Sequence, residues 1–236
     1  MEEQALTIFQ KIIGYYFRDE KLLLQALTHS SFSNEQRINS VGNYEREEFL
    51  GDAVLELITS AFLFEKYPDM PEGELTKFRA SIVCEPTLAL CARQMELDKF
   101  IRLGRGEENT GGRNRDSIIS DVFEAVIGAI YLDGGMEAAK AHIERFVLND
   151  IEDKKLFSDS KSTLQEVVQG QLKKDVSYKL VSETGPEHDK EFRVKAIIGG
   201  NALGEGTGRT KKAAEQKAAY AALLKLKEQG YVFKKH

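Results

Sequence analysis

Glu45, Glu48 and Asp52 stand three and then four residues apart in YEREEFLGDAVLELI, Tyr44 to Ile58. The stretch holds no proline and one glycine, so it reads as a helix. A 3.6-residue period then sets the three acids on one face. Phe49, Ala53, Leu55 and Leu57 supply its apolar positions. Like charges at this spacing repel by roughly 0.2–0.5 kcal/mol per pair. A bound cation removes that repulsion, and carboxylate oxygens suit a hard ion such as Mg²⁺. A solvated helix face, with Arg46 paired to a nearby acid, accounts for this segment alone equally well.

A second stretch shifts the balance. SDVFEAVIGAIYLDGG, Ser120 to Gly135, carries Asp121 and Glu124 three residues apart. Val122, Ala125, Val126, Ile127, Ala129, Ile130 and Leu132 leave few positions for solvent, so the two acids belong near the interior. Burying carboxylates without a partner costs on the order of several kcal/mol. The cost is relieved if the two acidic helices pack so that Glu48, Asp52, Asp121 and Glu124 share a cation. Metal binding is then the better reading of the pair.

The elements that must position these acids are mostly helical. Leu6, Ile8, Phe9, Ile12 and Ile13 recur at helical spacing, as do Leu22, Leu23, Leu24 and Leu27. THSSFSNE is a polar run at a helix end or in a loop, and its His29 reads as a hydrogen-bonding residue rather than a ligand. After the turn YPDMPEG, which holds Glu72, helices are expected over GELTKFRASIV, residues 86–100 and Met136 to Ile151. LGRGEENTGGRNRDS is a glycine-rich loop without the GK[ST] ending of a phosphate-binding P-loop. It reads either as a surface loop or as one that contacts RNA. DIEDKKLFSDSK is polar and charged, as a linker would be. The expected division is residues 1–155, a linker at 156–160, and 161–230.

The tail changes character. STLQEVVQGQL is amphipathic, and YKLVSETG, KEFRVKAIIGG and NALGEGTGR alternate like three strands before the alanine-rich helix TKKAAEQKAAYAALLKLKEQ. Lys211, Lys212 and Lys217 oppose the dipole at the start of that helix, so helix stability does not explain them. They suit a phosphate, or form a solvated basic face. Charge follows the same division. The overall net of -5 conceals 15 Lys+Arg against 9 Asp+Glu from Lys161 onward, with 18 against 29 before it. An acidic body with a basic tail suits a metal in one part and a polyanion in the other. Cys84 and Cys91 have neither CxxC spacing nor clustered histidines, so both read as reduced and structural. No apolar run approaches the length of a membrane span, and MEEQALTIFQ is too charged for a signal peptide, so the expected compartment is the cytosol.

YEREEFLGDAVLEL, with THSSF before it and SIISDVFEAVIGAIYLDGG after it, resembles bacterial ribonuclease III. STLQE, GPEHDKEF and GEGTGRTKKAAEQKAA are similar to a double-stranded-RNA-binding domain. The resemblance runs from the first helix to about residue 227. It implies a mainly α protein: an all-helical endonuclease domain that forms a homodimer, then a small α-β-β-β-α RNA-binding domain. It implies Mg²⁺-dependent cutting of both strands of an RNA duplex, leaving 5′-phosphate and 3′-hydroxyl ends with a short 3′ overhang. Precursors of ribosomal RNA are the family's usual substrate. The family's metal ligands fall on Glu48, Asp52, Asp121 and Glu124, with Asp52 and Glu124 in catalytic roles. Glu45 and Glu72 match its accessory acids. The implied RNA contacts are Gln165, Glu166, Pro186, His188, Lys211 and Lys212. The usual signature reads NERLEF, whereas this chain has Tyr44 for the asparagine and Glu47 for the leucine. Neither change removes a family ligand. Glu47, next to Glu48, is expected to point away from the metal, toward the dimer contact. A protein that holds duplex RNA without cutting it, and a nuclease acting on DNA, are the rival functions.

Overall fold

The N-terminal apolar repeat folds as α1 (Glu2–Ile13), with Phe9 and Ile13 buried. α2 (Glu20–Ala26) follows, capped by the Asp19 carboxylate, which accepts the Lys21 N–H at 3.0 Å. The polar run after it forms a short helix, α3 (Ser30–Gln36). α4 (Glu45–Lys66) is 22 residues long, and α5 (Glu72–Ile82) begins at Glu72 itself. α6 (Glu85–Gln94) ends sooner than its apolar pattern suggests. Glu96 takes a left-handed conformation (φ 57°) and the chain continues as a 3-10 turn over Leu97–Phe100.

The glycine-rich stretch is folded too. It contains α7 (Arg105–Asn109), whose first N–H groups are accepted by Glu35 at 2.8 and 3.1 Å. Arg113 pairs with Glu108 and Arg115 with Glu107, each at 2.5 Å. α8 (Asp116–Ile143) then runs through the middle of the unit, with Ile119, Phe123, Val126 and Ile130 all buried. Its backbone leaves the helical region at Gly135 (φ 78°), a conformation that glycine adopts without a Cβ penalty. Ahead of that break, Asp133 accepts the Tyr15 hydroxyl at 2.6 Å and the N–H groups of Arg18 and Asp19. A π turn, Glu144–Leu148, closes the unit.

The computed structural model describes residues 2–36, 42–185 and 190–233, and it divides into two units between Ile151 and Glu152. The segment expected as a linker is helical: α9 (Ile151–Ser158) covers most of it. Within the second unit Lys154 and Phe157 are buried three residues apart, Phe157 edge-on to Tyr220 at 5.2 Å. A lysine at a buried position conceals the helix in the sequence. α10 (Ser160–Val167) continues through a π turn to Leu172.

Three strands form an antiparallel sheet in the order β1 (Val176–Thr184), β2 (Glu191–Ile198), β3 (Asn201–Gly208). Val176 lies opposite Ile198, and Phe192 opposite Gly208. α11 (Lys211–Glu228) packs on this sheet through Ala214, Ala218 and Ala222, all fully buried. The approach is close. A Cβ on Gly204 would come within 2.1 Å of the Ala218 carbonyl, and one on Gly206 within 2.4 Å of the Ala218 nitrogen. The second unit is thus α-β-β-β-α with α9 ahead of it, and the first is helical, as the sequence patterns predict.

Candidate metal centre

Two glycines set the geometry of the acids. Gly51 of α4 and Gly128 of α8 meet where the helices cross, and each occupies space that a side chain would need. A Cβ on Gly51 would lie 1.8 Å from the Glu124 carbonyl oxygen, and one on Gly128 would lie 2.1 Å from that of Glu47. The helices therefore touch backbone to backbone. Acids within one turn of the crossing are brought together from both sides.

Glu48, Asp121 and Glu124 converge. Each offers one carboxylate oxygen, and these oxygens lie within 4.8 Å of one another. Asp52, expected as a fourth ligand, is exposed and stands outside this trio. It directly follows Gly51 on α4. It remains close enough for its charge to act on both Glu48 and Glu124. Glu45 is exposed at the start of α4 and contributes to the field at Glu48. Glu72 is not gathered in. It lies at the start of α5, where it accepts the Thr76 hydroxyl at 3.0 Å and borders an apolar groove with Leu57 and Phe64.

The electrostatics of the trio suit a cation. Burial, reinforced by the charges of Asp52, Asp121 and Glu48, pushes the Glu124 carboxyl up to about 8. Burial also raises Asp121, and burial together with Asp121, Glu45 and Asp52 raises Glu48. Three half-buried carboxyls that resist ionisation make an all-oxygen donor set. A hard divalent ion fits it, because such an ion favours the charged form of every ligand at once.

Tyr44, which differs from the family signature, faces this site. Its hydroxyl donates to Asp121 Oδ2 at 3.3 Å, and its ring lies 5.6 Å from that of His29. His29 is held neutral by burial and bonds through Nδ1 to Ser31, so it acts as a hydrogen-bonding residue. Glu47 points away from the trio, as its position next to Glu48 predicts, but not toward an exposed face. It is only 5% exposed, burial raises its carboxyl, and its Oε2 has no hydrogen-bond partner among the described residues.

The exposed face of α4 is apolar instead. Phe49, Leu57 and Phe64 are 81%, 58% and 73% exposed, spaced eight and seven residues apart along one side of the helix. Sequence reasoning counted Phe49 and Leu57 as the helix's apolar positions without separating them from the buried Leu55. It also passed over Gly51 and Gly128, whose signal was a glycine inside an otherwise strong helix.

In the second unit, Gln165 and Glu166 are exposed on α10, and Lys211 and Lys212 are exposed in the first turn of α11. Thr210 caps that turn by accepting the Ala213 N–H at 3.1 Å. Lys211 also lies over the Phe192 ring, 5.7 Å from its centre. Pro186 and His188 lie outside the described residues.

A helical unit with converging carboxylates is thus followed by an α-β-β-β-α unit with lysines at the start of its last helix. Residues 19–151 match the family model described as Ribonuclease-III-like, and residues 160–226 match the double-stranded RNA binding motif. Ribonuclease 3 of Bacillus cereus (strain AH187) is 50% identical over 229 residues, spanning 96% of this chain and 93% of that one. Ribonuclease 3 of Bacillus anthracis (strain CDC 684 / NRRL 3495) matches to the same extent. Among solved structures, the nuclease domain of ribonuclease III from Campylobacter jejuni superposes with a TM-score of 0.56 at 42% identity. It covers 61% of this chain and 96% of that one. The chain belongs to the ribonuclease III family.

Proposed function

We propose that this protein is an endonuclease that hydrolyses double-stranded RNA with Mg²⁺, leaving 5′-phosphate and 3′-hydroxyl ends with short 3′ overhangs. The observation that carries the reading is the meeting of Glu48, Asp121 and Glu124 at the Gly51–Gly128 crossing. These three residues would hold the metal, which supplies an acidified water and stabilises charge on the scissile phosphate. The chain's own groups do the rest. Glu124, whose carboxyl is raised by burial, would serve the cation as a carboxylate, and Asp52, exposed beside the trio, is free to orient the attacking water or accept its proton. Glu45 stands near enough to act through water. The reaction needs no nucleophilic side chain, so no covalent intermediate is expected.

Duplex affinity comes from the second unit, through Gln165, Glu166, Lys211 and Lys212. Such modules span about 16 bp and read A-form shape, phosphates and 2′-hydroxyls. The apolar row of Phe49, Leu57 and Phe64 supports a homodimer, since a second copy would cover it. A twofold dimer sets one acid cluster against each strand, which yields a double-strand break from a single enzyme. Ribosomal RNA precursors and other structured RNAs in the cytosol are the substrates this reading entails. No helix among the described residues is long and apolar enough to cross a membrane.

Cleavage of an end-labelled RNA duplex with Mg²⁺, with Ca²⁺ and with chelator tests the proposal, alongside DNA and hybrid duplexes. Cutting of RNA with Mg²⁺ alone, to 5′-phosphate ends, is expected. Tight binding without cutting in any metal would replace it with a non-cleaving duplex-binding regulator, and equal cutting of DNA would remove the substrate assignment.

A further inference from the structure

We infer that Tyr44 is a positioning residue for Asp121, holding that carboxylate in the orientation that receives the cation. The inference rests on reading the acid trio as a metal site and adds a residue to it.

Tyr44 is fixed before it touches anything in the site. Its N–H donates to the Thr28 carbonyl at 3.0 Å, and its own carbonyl accepts the Glu48 N–H at 2.9 Å. Only 6% of the residue is exposed, and its ring is seated against His29 at an angle of 49°. The phenol therefore has one place to be. From there it reaches from the start of α4 to α8 and donates to Asp121 Oδ2 at 3.3 Å.

The glycine crossing fixes the two backbones but not the torsions of the Asp121 side chain. A hydroxyl set against one carboxylate oxygen restricts those torsions. At 3.3 Å the contact is long for a hydroxyl donor, so it biases the carboxylate's orientation without locking it. Partners that orient a metal ligand in this way typically change metal affinity or activity by about 10–100-fold when removed. An asparagine, as in the family signature, is shorter and carries no ring to seat against His29. The contact is therefore specific to a chain with tyrosine here.

Tyr44→Phe keeps the ring and its packing and deletes only the donor. The test is Mn²⁺ binding to the full chain, followed by the electron paramagnetic resonance of the free ion, with melting of the metal-free protein measured alongside. The variant is expected to bind Mn²⁺ about tenfold more weakly, at the weak end of the effect seen for such partners, with its metal-free melting temperature unchanged. The Mg²⁺ needed for half-maximal cleavage should rise by the same factor, and kcat should recover at saturating Mg²⁺. Unchanged Mn²⁺ affinity overturns the role of Tyr44 and leaves the metal site standing. Weaker binding with a matching fall in metal-free melting temperature also overturns it, in favour of plain packing. A wild-type chain that binds no Mn²⁺ overturns the metal site itself, and the inference with it.

Discussion

Both units of this protein rely on glycine to bring backbones into contact, yet the two seams do different work. Where α11 lies on β3, Gly204 and Gly206 meet a row of alanines, and the contact brings no charge with it. The charges near that seam are paired, as in Lys161 with Glu215 at 2.5 Å, or face solvent, as Lys211 and Lys212 do. Where α4 crosses α8, Gly51 and Gly128 bring three carboxyls within 4.8 Å of one another. One seam is close packing with satisfied edges. The other is close packing that gathers like charges, a donor set that could hold a cation. Close helix contact is thus neutral toward function; the side chains one turn from the contact decide what it is for.

The strongest break in that contrast is Glu124→Gln. Cleavage should fall to background while duplex binding holds, as read by gel shift. The folded Glu124 carboxyl titrates near 8 against an ordinary value of 4.5. Its contribution to stability is therefore complete below about pH 4.5 and is lost as pH rises toward 8. Glutamine removes that loss, so the metal-free variant should melt higher than wild type at neutral pH and the same at pH 4.

Gly51→Ala and Gly206→Ala separate the two seams directly. Each forces a methyl group into backbone atoms and should destabilise its own unit by about 1–3 kcal/mol or more in denaturant unfolding. Only Gly51→Ala should also abolish Mn²⁺ binding, and only Gly206→Ala should weaken duplex binding.

His142 gives a smaller effect in the first unit. It is buried between Phe123 and Phe146, and neither ring nitrogen has a partner among the described residues. Burial holds it near 3 against an ordinary 6.5. Its contribution is present above pH 6.5 and is lost as pH falls toward 3, by up to about 1.4 kcal/mol per pH unit. His142→Phe should flatten that acid limb in urea unfolding across pH 4–7. The smallest change is expected from Lys211→Ala with Lys212→Ala. Duplex affinity should drop at low salt, and the salt dependence should become shallower by about one unit per lysine.

Much of this was legible in the residues. Three alternating segments before an alanine-rich helix were enough to give the fold of the second unit, and the two acidic stretches pointed to helices that do cross. The crossing point was not legible, because a glycine inside a helix does not say which backbone it admits. For the same reason the convergence of Glu48, Asp121 and Glu124 without Asp52 could not be read from spacing alone. Lys154 disguised α9, since a lysine reads as exposed until its helix is placed. Glu47 read as lying toward a dimer contact because its burial depends on α2, more than twenty residues earlier.

The Tyr44–Asp121 contact spans 77 residues and the Tyr15–Asp133 tie spans 118. Contacts at such separations cannot form until the intervening chain exists. A chain growing on the ribosome carries its first acidic helix for a long interval before the second emerges, and folds around them late. Through that interval Glu48 faces only Glu45 and Asp52 of its own helix, without the carboxyls of α8. The centre is assembled in one late step, and a truncated product lacking α8 would be inert rather than a partial enzyme.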